Sequence, residues 1–234
     1  MFDVSKAIAG AALVLCSQGV SAQNARSAEV LIDMLHWEER ILSSTTEYRG
    51  VIVDGERVVR ARADGTASAL FQRRRVNLER TPFLQWRWRI DNTLGPVHPE
   101  LSRSGDDFPA RLYVMRTGGL RFWQSRVLIY VWASSQPVGS HWASPASGSN
   151  TRVVAVDSGD ALAGQWRTHS RDVRADWLTA FGEELDRIDA VAIMTDADNS
   201  DSFLQAWYAD IRFTAQTLAA GTSPAGAAAS ATRD

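Results

Sequence analysis

The sequence predicts a mainly β protein: an antiparallel two-sheet β-sandwich, jelly-roll-like, with one or two short helices. Three observations carry this expectation. Nine short segments rich in β-branched and aromatic residues follow a period of two. Turn pairs such as Asp54-Gly55, Asp64-Gly65 and Gly118-Gly119 separate them. Only one stretch has both a helix start and a helix stop. Short strands joined by turns, without repeated helical crossovers, fit stacked antiparallel sheets better than βαβ units.

The first 22 residues read as an export signal. Lys6 supplies a basic start, residues 7–15 an apolar run too short to span a bilayer, and Val20-Ser21-Ala22 a small-residue cleavage site. The mature protein is therefore expected to begin at Gln23 and to be periplasmic or secreted, with no membrane insertion after cleavage. Lys6 and Cys16 are the only lysine and cysteine of the chain. Their loss with the signal excludes Schiff-base chemistry, cysteine nucleophiles, thiolate metal sites and disulfides. Residues 23–216 are expected to form a single domain. The Ala/Gly/Ser/Thr-rich segment 217–234 has too little apolar bulk to pack and is expected to be disordered.

Within the domain, Ser27 is placed to cap a short helix whose stripe is Leu31, Leu35 and Leu42. The strands follow at 49–53, 58–63, 69–78, 83–90, 110–117, 127–133, 152–157, 190–195 and 206–214. A second helix is expected over 172–181, capped by Asp172 and stopped by Gly182. Segments 96–107 and 136–150 read as long surface loops.

Alternation sorts the strand residues onto faces. Leu84, Trp86, Trp88 and Ile90 share one face, and Gln85, Arg87 and Arg89 the other. Arg111, Tyr113 and Met115 oppose Ala110, Leu112 and Val114. Tyr130 and Trp132 oppose Val127, Ile129 and Val131. Tyr208, Asp210 and Arg212 oppose Trp207, Ile211 and Phe213. The expected result is one apolar face and one polar-aromatic platform of Arg87, Arg111, Tyr113, Tyr130, Trp132 and Tyr208. Planar rings stack on sugar faces, and Arg forks bind hydroxyls or carboxylates; on a solvated face the same residues simply stack on one another.

Acids form a second signal. Asp106, Asp107, Asp196, Asp198 and Asp210 are candidate ligands for a hard cation, and Ca²⁺ is the candidate cofactor because it takes six to eight oxygens. The spacing lacks the glycine and distal glutamate of an EF-hand loop, and ordinary turn chemistry explains the same residues.

Other classes are excluded or disfavoured. A net charge of −2 does not suit a nucleic-acid binder, and Arg73-Arg74-Arg75 reads as a solvated strand face. No nucleophile elbow, phosphate loop, dinucleotide fingerprint or helical His pair is present. His36, His98, His141 and His169 lie far apart in sequence. The run Glu184 to Asp189 nearly matches the paired carboxylates of laminarinase-like retaining glycosidases, but it leads into a strand instead of forming its centre.

Trp86-Arg87-Trp88, Asp106-Asp107-Phe108-Pro109-Ala110-Arg111-Leu112-Tyr113-Val114 and Tyr130-Val131-Trp132-Ala133 together resemble the bacterial family called domain of unknown function 3047. Asp157-Ser158-Gly159, Val191 to Asp196, Asp198-Asn199 and Ala206 to Ile211 extend the resemblance from about Trp37 to Phe213. The resemblance implies a single domain and no assigned activity. The segment Ala206 to Phe213 also looks like the closing strand of jelly-roll carbohydrate-binding modules, which implies a structural calcium near an acid. The leading expectation is a non-catalytic periplasmic domain that binds a glycan or other small polar ligand. The alternatives are a glycoside hydrolase or lyase using paired acids on the same fold, and a structural envelope-interaction protein.

Overall fold

The computed structural model describes residues 29–31, 34–118 and 125–218. The expected signal and all but the first two residues of the expected tail lie outside the described residues. In chain order the strands are β1 (Glu29–Leu31), β2 (Glu38–Ile41), β3 (Glu47–Val53), β4 (Glu56–Asp64), β5 (Ala67–Asn77), β6 (Phe83–Ile90), β7 (Ala110–Arg116) and β8 (Arg126–Ala133). They continue with β9 (His141–Ser144), β10 (Gly148–Ser158), β11 (Arg167–Asp172), the helix α1 (Val173–Phe181), β12 (Arg187–Asp196) and β13 (Phe203–Thr214). The protein is mainly β, as expected.

The strands form two sheets. One has the order β11-β6-β13-β4-β3, with β1 added along β13; the other has the order β2-β5-β12-β7-β8-β10-β9. The expectation of purely antiparallel sheets is corrected by one pair: β10 runs parallel to β8 in the seven-stranded sheet. A parallel neighbour needs a crossover, and the segment from β8 to β10 supplies it by passing β10's place to form the edge strand β9, which then pairs with β10 on its far side.

Residues from both sheets join one buried cluster. Trp86, Trp88 and Tyr208 come from the six-stranded sheet, and Leu112, Leu128, Tyr130, Trp132, Val191 and Ile193 from the seven-stranded one. The face Leu84, Trp86, Trp88 and Ile90 is interior, as alternation predicts. The face assigned to β8 is reversed. Leu128, Tyr130 and Trp132 are interior, while Ile129 and Val131 belong to a separate cluster on the outer side with Phe108 and Val153. Both faces of β8 are apolar, so alternation alone does not say which faces in.

In β13 a bulge decides the matter. The register shifts between Ala209 and Arg212, and Asp210 takes a positive φ of 54°. One extra residue turns the strand over, so Tyr208 joins Ile211 and Phe213 inside, while Trp207 and Ala209 pack outside against Val58.

The helix expected from Ser27 through Leu42 is replaced, among the described residues, by β1, a short 3₁₀ turn at Met34–His36 and β2. Pairing with the edge of β5 satisfies the β2 backbone, and the segment's helical pattern is overridden by that contact. The expected loop 136–150 contains β9 and the start of β10. The second helix forms as expected: the Asp172 carboxylate accepts from Arg174 N and Ala175 N, and Gly182, at φ 71°, donates to Leu178 O.

The 91–109 connection positions the acids that enter β7, and Glu100 holds it down. Its fully buried carboxylate accepts from the backbone N–H groups of Ser134, Ser135 and Gln136 and from the Ser135 hydroxyl. Removing it leaves the buried Ser134 N–H and three partly buried donors unpaired. Glu100→Ala is expected to cost about 3 kcal/mol, measured as a fall in the urea midpoint at constant slope.

Candidate functional site

The outer face of the seven-stranded sheet carries a cleft of about 400 Å³. β7 and β8 lay its floor with Tyr113, Met115, Val127 and Ile129, and β12 adds Met194. Ser144, Ser147 and Thr151 reach it from β9, β10 and their connection. Where β12 ends and β7 begins, Arg103, Asp106, Arg111, Asp196, Asp198 and Asn199 gather.

Arg111 is the centre of that polar end and is almost fully buried. Its Nε donates to Asp196 Oδ1 at 2.8 Å, and Nη2 donates to Asp196 Oδ2 and to the Asp106 backbone oxygen. Nη1 lies 3.4 Å from Asp106 Oδ1, and the guanidinium stacks over Phe108 at 4.6 Å. The Phe108 N–H also donates to Asp196. From the opposite sheet the buried Tyr208 hydroxyl donates to Met194 O at 2.6 Å and lies 2.9 Å from the Thr195 hydroxyl, which ties the two layers together beneath the cleft.

Burial is the largest influence on the Asp196 carboxyl and raises its pKa; Arg111 pulls it down, and Asp107 and Asp106 push it further up. Asp106 is raised by burial against the pull of Arg111. Burial, then Asp107, raises Asp198 at the rim. Asp107 holds the following turn: it accepts from Asn199 N at 3.3 Å, Asn199 Nδ2 at 3.0 Å and Ser200 N at 2.7 Å.

Of the five expected metal ligands, three come together. Asp107, Asp196 and Asp198 each offer an oxygen within 4.8 Å of the others. Asp106 pairs with Arg111. Asp210 lies on the outer face of the other sheet, where Arg87 bridges it at 2.5 Å and also meets Glu56 and the Trp166 ring.

The six platform residues do not share one face, which corrects that expectation. Arg111 and Tyr113 belong to the cleft, and Arg87 to the outer face of the six-stranded sheet. Tyr130, Trp132 and Tyr208 are fully buried between the sheets. Tyr130 donates to Asp176 at 2.8 Å, and Trp132 Nε1 to Gly159 O at 3.0 Å. Arg111 Nε and Nη2 serve Asp196 and Asp106, so little of this group is left for a ligand. In the run 184–189, Glu184 and Asp186 are exposed, while Asp189 accepts from Arg116 and Thr117.

Sequence reasoning missed two features. The floor residues Met115, Val127, Ile129 and Met194 had no signal beyond β alternation. The second is a buried carboxylate at the end of β10. Asp157 accepts from Trp88 Nε1 at 2.7 Å and Arg167 Nε at 3.1 Å, and lies 2.6 Å from His169 Nε2. Burial raises its pKa, but the bonds from His169, Trp88 and Arg167 together outweigh burial and hold it below the ordinary value. The signal available was Asp157 within Asp157-Ser158-Gly159, together with an unassigned histidine.

Fold and site define a class: a mainly β protein whose two sheets close over one core and whose larger sheet carries an outward cleft. The chain belongs to the family described as protein of unknown function (DUF3047), whose family model matches residues 35–212. No curated protein matches the chain. Among solved structures it is similar to a meso-active, thermostable cellulase derived from the Cel12A cellulase of Rhodothermus marinus. That match has 10% identity and a TM-score of 0.44 and covers 80% of this chain and 99% of that one. It is also similar to the xyloglucanase domain of NopAA, a type three effector from Sinorhizobium fredii, in complex with cellobiose. There the identity is 8% and the TM-score 0.39, over 78% of this chain and 93% of that one. Among the described residues no helix is long and apolar enough to cross a membrane.

Proposed function

We propose that this protein is an exported, non-catalytic β-sandwich that binds a glycan or other polar ligand in the cleft on its seven-stranded sheet. The observation that carries the reading is the cleft itself, an apolar floor bordered by hydroxyl, amide and carboxylate groups, which is the usual composition of a small-molecule site. A sugar presents apolar C–H faces to Tyr113 and hydroxyls to Asp198, Asn199, Ser147 and Thr151. Binding is preferred to hydrolysis because a glycosidase needs two available carboxyls. Here Arg111 and the Phe108 N–H occupy Asp196, Asn199 and Ser200 occupy Asp107, and Arg111 holds Asp106. The outer face of the other sheet is self-paired: Arg87 with Asp210 and Glu56, and Arg89 over Trp207 at 4.5 Å. It is read as structural.

Calorimetric titration of neutral, uronic-acid and amino-sugar oligosaccharides into the mature protein tests the proposal. At least one class should bind, and Tyr113→Ala should weaken that binding about fivefold while leaving the fold intact, the loss expected for a ring contact of roughly 1 kcal/mol. No binding by any class, or binding indifferent to Tyr113, overturns it. The export reading is tested on the same material: intact mass should begin at Gln23.

We propose weak Ca²⁺ binding at Asp107, Asp196 and Asp198, supported by their three convergent oxygens. Arg111 and the amides of the 197–202 turn compete for the same oxygens, so affinity should be modest. At about ten times the dissociation constant the gain is near 1.4 kcal/mol, or a rise of about 3 °C in the melting midpoint, relative to chelator. Equal midpoints at millimolar Ca²⁺ would leave these acids with turn and ion-pair roles alone.

A further inference from the structure

We infer that the outer face of the six-stranded sheet binds an acidic polysaccharide, a polyuronate, along a row of arginines that crosses β3, β4 and β6. This surface is separate from the cleft and does not depend on the cleft's ligand. The charges of the face balance where Arg87 meets Asp210 and Glu56. Two residues further along the strands they do not.

Strand register builds the row. Arg49 of β3 stands opposite Arg60 of β4, Arg60 opposite Trp207 of β13, and Trp207 opposite Arg89 of β6. Arg62, two residues from Arg60, adds a fourth cation on the same face. Glu47 is the carboxylate that meets three of them: it lies 2.5 Å from Arg49 Nε, 3.5 Å from Arg60 Nη2 and 3.7 Å from Arg62 Nη1. Among the described residues Arg89 only stacks over the Trp207 ring. Asp91, beyond Arg89 on the same strand, is taken by Gln205 Nε2 at 2.6 Å.

A face held together by its own ion pairs gains from opposite signs at facing positions, and like charges placed there repel. Arg49 facing Arg60 is such a like-charged pair. The chain as a whole has a net charge of −2, so this local excess of positive charge is set against its background and draws an anionic partner. Arg49 and Arg62 are exposed, and Arg60 and Arg89 partly so. Their guanidinium forks are open to carboxylates, which they bind in a two-pronged way.

The spacing selects the kind of anion. Neighbouring strands lie about 4.8 Å apart, close to the length of one sugar unit in an extended chain. From β3 to β6 the row covers three such steps and presents an arginine at three of its four positions. A polyuronate carries a carboxylate on each unit at the same interval. A nucleic-acid strand needs open rings on which its bases stack, whereas Trp207 and Phe203 each lie under an arginine. A lipid surface needs apolar side chains standing among the cations, and next to the row Val58 is buried and Val51 half-buried.

The experiment is calorimetric titration of polygalacturonate into the mature protein, at low salt and at about 0.5 M NaCl. Binding should be present at low salt and lost at about 0.5 M, where exposed charges are screened. Arg49→Gln and Arg62→Gln should each weaken it about threefold, the effect of one exposed ion pair, and together about tenfold. Both variants should melt no lower than the unaltered protein, because each relieves repulsion within the row. Glu47→Gln should strengthen binding about threefold, since it removes the competing carboxylate. Tyr113→Ala, in the cleft, should leave it unchanged. Absence of binding at low salt, or binding indifferent to Arg49 and Arg62, overturns the inference. Binding lost in Tyr113→Ala but kept in the arginine variants moves the uronate to the cleft, which overturns the inference and leaves the cleft reading in place. Single-stranded polythymidylate or phosphatidylglycerol vesicles bound through the same arginines as tightly as polygalacturonate would likewise overturn the choice of a polyuronate.

Discussion

Arg111→Ala should lower the stability of this protein by about 3–5 kcal/mol, the loss that follows when one partner of a buried ion pair is removed. The arginine is only 3% exposed, and it faces Asp196 and Asp106, exposed 2% and 7%. Without it, Asp196 keeps a hydrogen bond from Phe108 N but loses the one large influence that lowers its pKa. The sign of the pH dependence follows. A carboxyl whose folded pKa is raised penalises the fold above its unfolded value of ~3.9. The deficit of the variant should therefore shrink as pH falls from neutral toward about 4, because the raised carboxyls take up their protons in the folded state across that range. Urea unfolding of both proteins at neutral and acidic pH measures this. A loss below about 1 kcal/mol at neutral pH would mean that Arg111 is not the counter-ion of these acids. Arg111→Lys should fall between the two, because an ammonium keeps the charge but not the two-pronged contact.

A loss of similar size, about 3–5 kcal/mol, is expected for Trp132→Ala. The ring is fully buried between the sheets, with its centroid 6.4 Å from that of Trp88, and its Nε1 donates to Gly159 O. Truncation opens a cavity that the surrounding aromatic residues cannot fill and leaves that carbonyl without its donor. Ligand binding per protein that remains folded should not change, since Trp132 lies on the opposite side of the sheet from the cleft. A variant that melts like the wild type but binds no ligand would put the ring at the surface and contradict the interior placement. Losses in both Arg111→Ala and Trp132→Ala would show that this arginine and this tryptophan act in the fold, and would shift ligand recognition to Tyr113 and the floor beside it.

Much of the fold is legible in the sequence. All nine expected strands exist, because each has at least one face in an apolar environment and alternation reports that directly. Helix α1 is legible for a different reason: its Asp172 and Gly182 caps satisfy backbone groups that would otherwise have no partner. The four strands not foreseen are β1, β2, β9 and β11. Three of them are sheet edges, and β1 lies beside β13 off the main path of its sheet. In β2 all four residues are exposed, and β11 has none fully buried. β2 and β11 carry no alternation because no face of either is fully buried, and a neighbour's unpaired backbone makes them strands.

The site was legible in part. Asp106, Asp107, Arg111, Tyr113, Asp196 and Asp198 were foreseen and do converge, since they stand at the facing ends of the neighbouring strands β7 and β12 and on the outer face of β7. Sequence by itself determined that these nine segments are strands and, where no bulge intervenes, which residues share a strand face, because both depend on local geometry and solvation. In β8 and β13, which face turns inward was decided only by the packed sheets. Both sides of β8 are apolar, and the bulge at Asp210 turns Tyr208 into the core. The same holds for charge: whether Arg111 meets a ligand or Asp196 depends on a contact across 85 residues of chain. Local pattern carries no information about such a pairing, because its energy exists only once the two strands lie side by side.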